Sequence, residues 1–268
     1  MTTPSGAPTA QDQFDEQTSR RIEAVYLTPD VAAQRDKVMA RLAPREGEIA
    51  LDIGCGPGLT TLGLGQAVGA AGNVIGVDIA EPMLAIARQR CAALPQVSFS
   101  LADVTALPYE DAHFDVALAT QVYEYVEDID LALRELARVI RPGGRALLVD
   151  TDWESAVWAS SDDVRMRRVL ETWNEHIPHP QLPRILKQKM ERAGFHDVQV
   201  EIVPILNVQY DPQTYSIGMM DVIGGFAAGR NGLSAQDILD WKADARLFSE
   251  QTGAYFFSLN RYVFTASR

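Results

Sequence analysis

The sequence predicts an α/β fold built around a mostly parallel sheet. Three observations carry that prediction. Between residues 49 and 150, short apolar runs alternate with helical patterns, and such alternation implies right-handed βαβ crossovers. The first junction reads Leu51-Asp52-Ile53-Gly54-Cys55-Gly56-Pro57-Gly58, an apolar run entering a glycine turn that a helical stretch then leaves. Twenty residues past Gly58, Asp78 closes a second apolar run, Val74-Ile75-Gly76-Val77.

In chain order, residues 1–12 are rich in Thr, Pro, Gln and Ala and are expected to be disordered. Two helices follow at 13–26 and 30–43, broken at Thr28-Pro29, with Val31, Val38, Met39 and Leu42 at helical spacing. Strands are expected at 49–53, 73–77, 97–101, 114–119 and 145–150, and helices at 59–69, 81–93 and 129–140. Pro82 suits the first turn of its helix, and Pro142-Gly143-Gly144 is expected to stop the helix before it. Residues 151–183 read as irregular, with Trp153, Trp158, Trp173, His176 and His179 among them. A helix at 183–193 ends at Gly194, and a strand covers 198–205. Two helical patterns, 214–228 and 235–251, flank Gly229-Arg230-Asn231-Gly232, and a strand at 254–265 follows.

The glycine turn has a chemical meaning. Glycines let the backbone approach a ligand without Cβ clashes, and the helix N-terminus behind them offers free N–H groups to an anion. Asp78 stands where a carboxylate accepts ribose hydroxyls, so the unit points to an adenosine-bearing ligand. The spacing is not that of the dinucleotide fingerprint G-x-G-x-x-G. Here the glycines fall at 54, 56 and 58, and Leu59 occupies the dinucleotide position.

Composition narrows the classes further. A net charge of −12 and a pI near 4.8 argue against a phosphate-backbone partner. Cys55 and Cys91 give neither a disulfide framework nor a zinc pattern. No stretch of eighteen apolar residues appears, and no charged leader with an apolar core. The expectation is a cytoplasmic protein with a small-molecule partner, no nucleic acid, no membrane and no metal.

From about Gln34 onward the chain resembles the class I S-adenosylmethionine (SAM)-dependent methyltransferases. The resemblance rests on the glycine turn with Asp78, on Leu101-Ala102-Asp103-Val104, on Phe114-Asp115-Val116-Ala117-Leu118-Ala119, and on Val139-Ile140-Arg141-Pro142-Gly143-Gly144 leading into 145–149. It implies a Rossmann-like seven-stranded sheet whose last strand is antiparallel. Here about fifty residues separate strands six and seven, so 210–252 reads as a helical cap inserted into a single domain at 13–268.

The resemblance also implies SAM as cofactor and S-adenosylhomocysteine (SAH) as product. It places Gly54, Cys55 and Gly56 along the amino-acid part, with Asp52 and Gly58 also among the cofactor-binding residues, Asp78 at the ribose, and Ile79 and Met83 beside the adenine. Asp103 reaches the adenine amino group with Val104 next to it, and Thr120 and Gln121 lie near the methionine or the acceptor. Tyr26 is a candidate to close the pocket or a core aromatic. Tyr123, Tyr125, Trp153 and Trp173 are candidate walls for a flat acceptor, and Arg184, Arg230 and Arg261 candidate partners for a carboxylate.

The expected activity is methyl transfer to O or N of an enclosed, possibly aromatic, small molecule. Alternatives are C-methylation, a SAM-binding protein without transfer, and an NAD-dependent dehydrogenase. No histidine follows strand four, so His176 and His179 are the candidate proton acceptors.

Overall fold

The computed structural model describes residues 16–268. The tail at 1–12 and the first residues of the helix expected at 13–26 therefore lie outside the described residues. Two helices come first, α1 (Glu16–Tyr26) and α2 (Pro29–Leu42), with Thr28 extended between them and Pro29 opening the second. The alternating stretch folds as β1 (Ile49–Ile53), α3 (Leu59–Val68), β2 (Asn73–Asp78), α4 (Glu81–Arg90), β3 (Val97–Leu101), β4 (Phe114–Thr120), α5 (Ile129–Val139) and β5 (Ile140–Trp158). Then come α6 (Asp163–Trp173), α7 (Pro183–Arg192), β6 (His196–Asn207), α8 (Tyr215–Ala227), α9 (Ala235–Thr252) and β7 (Phe257–Ser267).

The strands form one seven-stranded sheet in the order β3-β2-β1-β4-β5-β7-β6. β1 to β5 run parallel, and β7 is antiparallel to both of its neighbours. Chain order reverses between β1 and β4. In open α/β sheets such a switch point opens a ligand crevice beyond the carboxyl ends of the strands.

Helices cover both faces, which is why β1 and β4 read as nearly continuous apolar runs. On one face Leu133, Leu136, Leu186 and Met190 from α5 and α7 pack on Leu51, Ile53, Leu148 and Phe264. On the other, Val38, Leu42, Leu64 and Val68 from α2 and α3 pack on Ala50, Val74, Val116 and Val149. A third, aromatic-rich cluster joins α1, α6, α8 and α9 to the parts of β5, β6 and β7 farthest from the β4 side, through Trp153, Trp158, Trp173, Tyr215, Trp241 and Phe257.

The structure corrects the expectation of irregularity at 151–183. β5 continues to Trp158 because β7 is long enough to pair with it, from Arg145↔Ser267 to Trp158↔Phe257. An irregularity between Asp152 and Val157 breaks the alternation that would have announced a strand. Residues 163–173 form α6, with Asp162 accepting from Arg165 N at 2.9 Å. Met166, Val169 and Trp173 of α6 are buried at helical spacing. Pro142-Gly143-Gly144 lies inside β5, at a register shift opposite β4, after α5 has already ended at Val139. Among the described residues no helix is long and apolar enough to cross a membrane.

Candidate active site

The glycine turn leaves β1 at the switch point. Gly54 has φ 58°, and a Cβ there would fall 2.3 Å from Val122 Cγ2 in the loop after β4. Only glycine satisfies both constraints. Gly58, expected at the cofactor, instead opens α3 with φ 76°. A Cβ on it would meet Ala87 at 2.9 Å, so this glycine seats α3 on α4 and does not line the cavity.

Asp78 ties the turn to β2. Its Oδ2 accepts from Gly56 N at 2.8 Å and its Oδ1 from Ala80 N at 2.9 Å. Each carboxylate oxygen has lone pairs to spare, and the side chain lines the cavity. Burial raises its pKa against the pull of those backbone bonds.

Asp52 does not face the ligand side. It is buried, its Oδ2 accepts from the Thr60 and Thr61 hydroxyls at 2.8 and 2.5 Å, and it is absent from the cavity wall. Burial, opposed by those hydroxyls, pushes its carboxyl up to about 6. The residue braces the first turn of α3 from below.

A cavity of about 530 Å³ opens at the switch point. At one end it is lined by Gly54, Cys55, Gly56, Asp78, Ile79 and Met83, with Asp103, Val104, Thr120 and Gln121 beside them. Asp103 Oδ1 accepts from Thr105 N and Oγ1 at 2.8 and 2.7 Å. Thr120 Oγ1 is buried with no protein hydrogen-bond partner, a polar atom for a bound molecule to satisfy. Burial raises the Cys55 thiol well above its ordinary value, so it serves as a small wall residue. The glycine cradle, the Asp78 carboxylate and the orphaned Thr120 hydroxyl fit an adenosyl amino acid.

Gln121 turns the chain sharply after β4. It has φ 59°, and its N–H donates to Val149 O at 2.7 Å. A 3-10 turn, Tyr123–Tyr125, follows. With three residues per turn, its side chains diverge. Tyr125 lines the cavity, whereas Tyr123, expected to do the same, is fully buried in the core beneath α5.

The other end of the cavity is aromatic. Tyr26 from α1, Trp153 from β5, Trp173 from α6 and Tyr215 from α8 line it, as the sequence indicated for the first three. Met219 and Val222 of α8 complete that wall, and no residue of α9 reaches it.

Neither candidate histidine borders the cavity. Because β5 runs on and α6 intervenes, the 176–179 segment passes behind the aromatic ring. His176 stacks on Trp173 with centroids 3.6 Å apart, its Nδ1 bonded to Trp173 O. Burial lowers its pKa to about 4, so it is neutral near pH 7. His179 Nε2 lies 3.4 Å from Glu127 O.

Of the three arginines, Arg184 is committed to Asp152 through two bonds of 3.0 Å, and Arg230 is exposed over the Phe226 ring. Arg261 is buried and lines the cavity.

Sequence reasoning missed Glu124. It sits between Tyr123 and Tyr125 in a stretch read as aromatic, yet it is fully buried and lines the cavity. Its Oε2 accepts from Thr151 N at 3.2 Å, and its own N–H lies 3.4 Å from Asp150 Oδ1. Burial holds both carboxyls above the ordinary carboxylate range. Gln34 of α2, also missed, bonds Arg261 Nη1 at 2.6 Å. A single acid among aromatics carries no motif, so only the fold brings Glu124 and Arg261 to one chamber.

Comparison with known proteins gives this geometry a family. A family model described as Methyltransferase domain matches residues 51–148. An uncharacterised 37.1 kDa protein of transposon TN4556 from Streptomyces fradiae is 37% identical over 197 residues, covering 71% of this chain and 56% of that protein. A demethylmenaquinone methyltransferase from Staphylococcus aureus strain MRSA252 is 37% identical over 117 residues, 44% of this chain and 48% of that enzyme. The chain thus spans about half the length of the curated relatives it matches. Among solved structures, a Haemonchus contortus phosphoethanolamine N-methyltransferase 2 in complex with SAM superposes with a TM-score of 0.64 at 19% identity, over 99% of this chain and 61% of that one. Residues 51–148 match a methyltransferase-domain model, and the sheet built around them has the fold of the solved methyltransferases on which it superposes.

Proposed function

We propose that this chain transfers the methyl group of SAM to an oxygen or nitrogen of a small, flat molecule enclosed in the aromatic end of the cavity. One observation carries the reading: a single cavity joins the glycine turn and Asp78 to a chamber walled by Tyr26, Tyr125, Trp153, Trp173 and Tyr215. SAM, when bound, brings a methyl group already activated on a sulfonium. Asp78 would hold the ribose, Ile79, Met83 and Val104 the adenine faces, and Asp103 its amino group. The backbone of 54–56 would carry the amino-acid end, with Thr120 and Gln121 beside it. The protein's own share is positioning and exclusion of water. Relatives named for demethylmenaquinone and phosphoethanolamine methylation support a small acceptor, as does a net charge of −12, which disfavours nucleic acid.

In this reading 210–252 acts as the cap, with α8 as the wall that meets the acceptor and α9 as its backing. Hydrogen exchange in α8 should slow when SAH binds.

A thermal-shift and titration experiment tests the cofactor assignment. SAM or SAH at about 100 times its dissociation constant should stabilise the protein by about 2.7 kcal/mol, because only the folded state binds. A clear response to NAD with none to SAM or SAH would overturn it.

A further inference from the structure

We propose that Glu124 is the general base and Arg261 the oxyanion receptor for an acceptor that enters as a phenol or an enol. The inference rests on the same cavity being the methyl-transfer site. Both residues are at most 2% exposed, and both line the cavity. Among the described residues Nε of Arg261 keeps no hydrogen-bond partner, and Oε1 of Glu124 has the Trp153 indole beside it without a fully formed bond. Buried polar atoms in native proteins are normally satisfied. Two such atoms on oppositely charged side chains in one chamber mark the place where a polar ligand group belongs.

The surroundings say what that group is. Among the described residues Arg261 forms no ion pair within 4.0 Å; its Nη1 donates to the Gln34 amide oxygen at 2.6 Å, and its guanidinium lies 4.9 Å above the Tyr215 ring, whose hydroxyl it also meets. A guanidinium so placed needs compensating negative charge nearby. The groups facing Glu124 are Asp150 in the middle of β5, Arg261 on β7, Tyr26 on α1, Tyr125 on its own turn and Tyr215 on α8, with the Trp153 indole of β5 beside them. Burial keeps the three phenols protonated and raises both carboxyls. The chamber thus sets one cation against two carboxyls whose burial and mutual repulsion resist a second negative charge.

An ionisable hydroxyl fits that balance. Its O–H bond breaks, the electron pair stays on the acceptor oxygen, and the proton goes to the Glu124 carboxylate. Negative charge moves from Glu124 to the new oxyanion, and Arg261 keeps an anionic neighbour throughout. Net charge in the chamber does not change, so the transfer avoids the large cost of creating a buried charge. The aromatic walls suit the flat, unsaturated skeleton that makes a hydroxyl acidic. An oxyanion so formed is the nucleophile, and a neutral hydroxyl is not.

The test uses 4-nitrophenol as the acceptor probe and SAH-saturated protein, read by the visible absorption of the phenolate. Bound probe should ionise about one pH unit or more below its value in free solution. Its affinity should pass through a maximum with pH, falling about tenfold per pH unit on the alkaline side, because phenolate binding there requires Glu124 to take up a proton. Glu124→Gln should keep the phenolate spectrum and abolish that alkaline fall. Arg261→Met should weaken probe binding about tenfold or more and leave no bound phenolate. SAH affinity is the folding control; if Arg261→Met does not bind SAH, Arg261→Lys is judged by the same loss. A wild-type protein that binds SAH but not the probe, or binds it un-ionised, overturns the proposal. So does an alkaline limb that survives in Glu124→Gln. A wild-type protein that binds no SAH overturns the methyl-transfer reading beneath it.

Discussion

The two ends of the cavity are made of different material. At the cofactor end a main-chain cradle, the turn at 54–56 hung on Cys55 N to Val77 O at 2.9 Å and on the Asp78 carboxylate, sits beside the side chains of Asp78, Ile79, Met83 and Asp103. At the acceptor end the contacts are side chains, contributed by α1, α2, the turn after β4, β5, α6, α8 and β7. A main-chain cradle admits few sequences, since a Cβ at Gly54 would overlap Val122. A side-chain chamber can change its occupant one residue at a time while the sheet beneath stays the same. The first end therefore reports the class of reaction and the second the identity of the acceptor.

The largest expected effect breaks the cofactor end. Asp78→Ala removes a carboxylate expected to accept two ribose hydroxyls, each such charge-assisted bond being worth roughly 1.5–3 kcal/mol. SAM affinity should fall by at least tenfold, with Asp78→Asn intermediate. The same change also strands Gly56 N and Ala80 N, bonded at 2.8 and 2.9 Å, so some stability should be lost with it. Calorimetric titration beside urea unfolding separates the two effects. Unchanged SAM affinity in folded Asp78→Ala would remove the ribose role.

The same contrast explains what the sequence could reveal. The cradle needs left-handed backbone at Gly54 and Gly56, and that requirement leaves glycines in fixed order, so the turn was legible, and the resemblance put Asp78 and Asp103 on what is a cavity wall. Asp52 misled because a buried acid at the end of a strand looks the same whether it meets a ligand or the Thr60 and Thr61 hydroxyls. Tyr123 and Tyr125 are two residues apart in a 3-10 turn, and nothing local says which faces in. Glu124 and Arg261 are 137 positions apart and meet only because β7 pairs with β5, Thr151 opposite Arg261. α6 is a different case: Asp162 and the spacing of Met166, Val169 and Trp173 announced it, and the tryptophans and histidines around it drew attention to chemistry instead.

A second experiment sharpens the comparison through acid. His176, behind the acceptor end, is held at about 4 against 6.5 in the unfolded chain. The unfolded state therefore binds the proton first, and His176 costs stability as pH falls from 6.5 to 4. At about 1.4 kcal/mol per pH unit, that is about 3 kcal/mol. Asp52, beneath the cofactor end, is raised from 3.8 to about 6 and has the opposite sign. Its contribution is full below pH 3.8 and is lost as pH rises through 6, again about 3 kcal/mol. Relative to wild type, His176→Phe should gain stability as pH falls from 6.5 to 4, and Asp52→Asn should lose it as pH falls from 6 to 3.8. Parallel urea titrations across that range check both. Slopes that move in the same direction would mean that the two sites are not buried as described.

The smallest expected effect is the most pointed about the acceptor end. His179 was the natural candidate for a proton acceptor, being an imidazole in a segment downstream of β5. The structure puts its ring against Glu127 O at 3.4 Å, half-buried and off the cavity wall, with only its backbone N–H reaching back to Glu124 O at 3.3 Å. That backbone bond survives any side-chain change. His179→Ala should therefore leave unfolding free energy within about 0.5 kcal/mol of wild type, and leave both SAH affinity and the alkaline limb of 4-nitrophenol binding unchanged. A limb that shifts or disappears in His179→Ala while surviving in Glu124→Gln would move the proton from the carboxylate to the imidazole. The acceptor end would then be a chamber completed by its outer loop, rather than one whose chemistry is set at the junction of β4, β5 and β7.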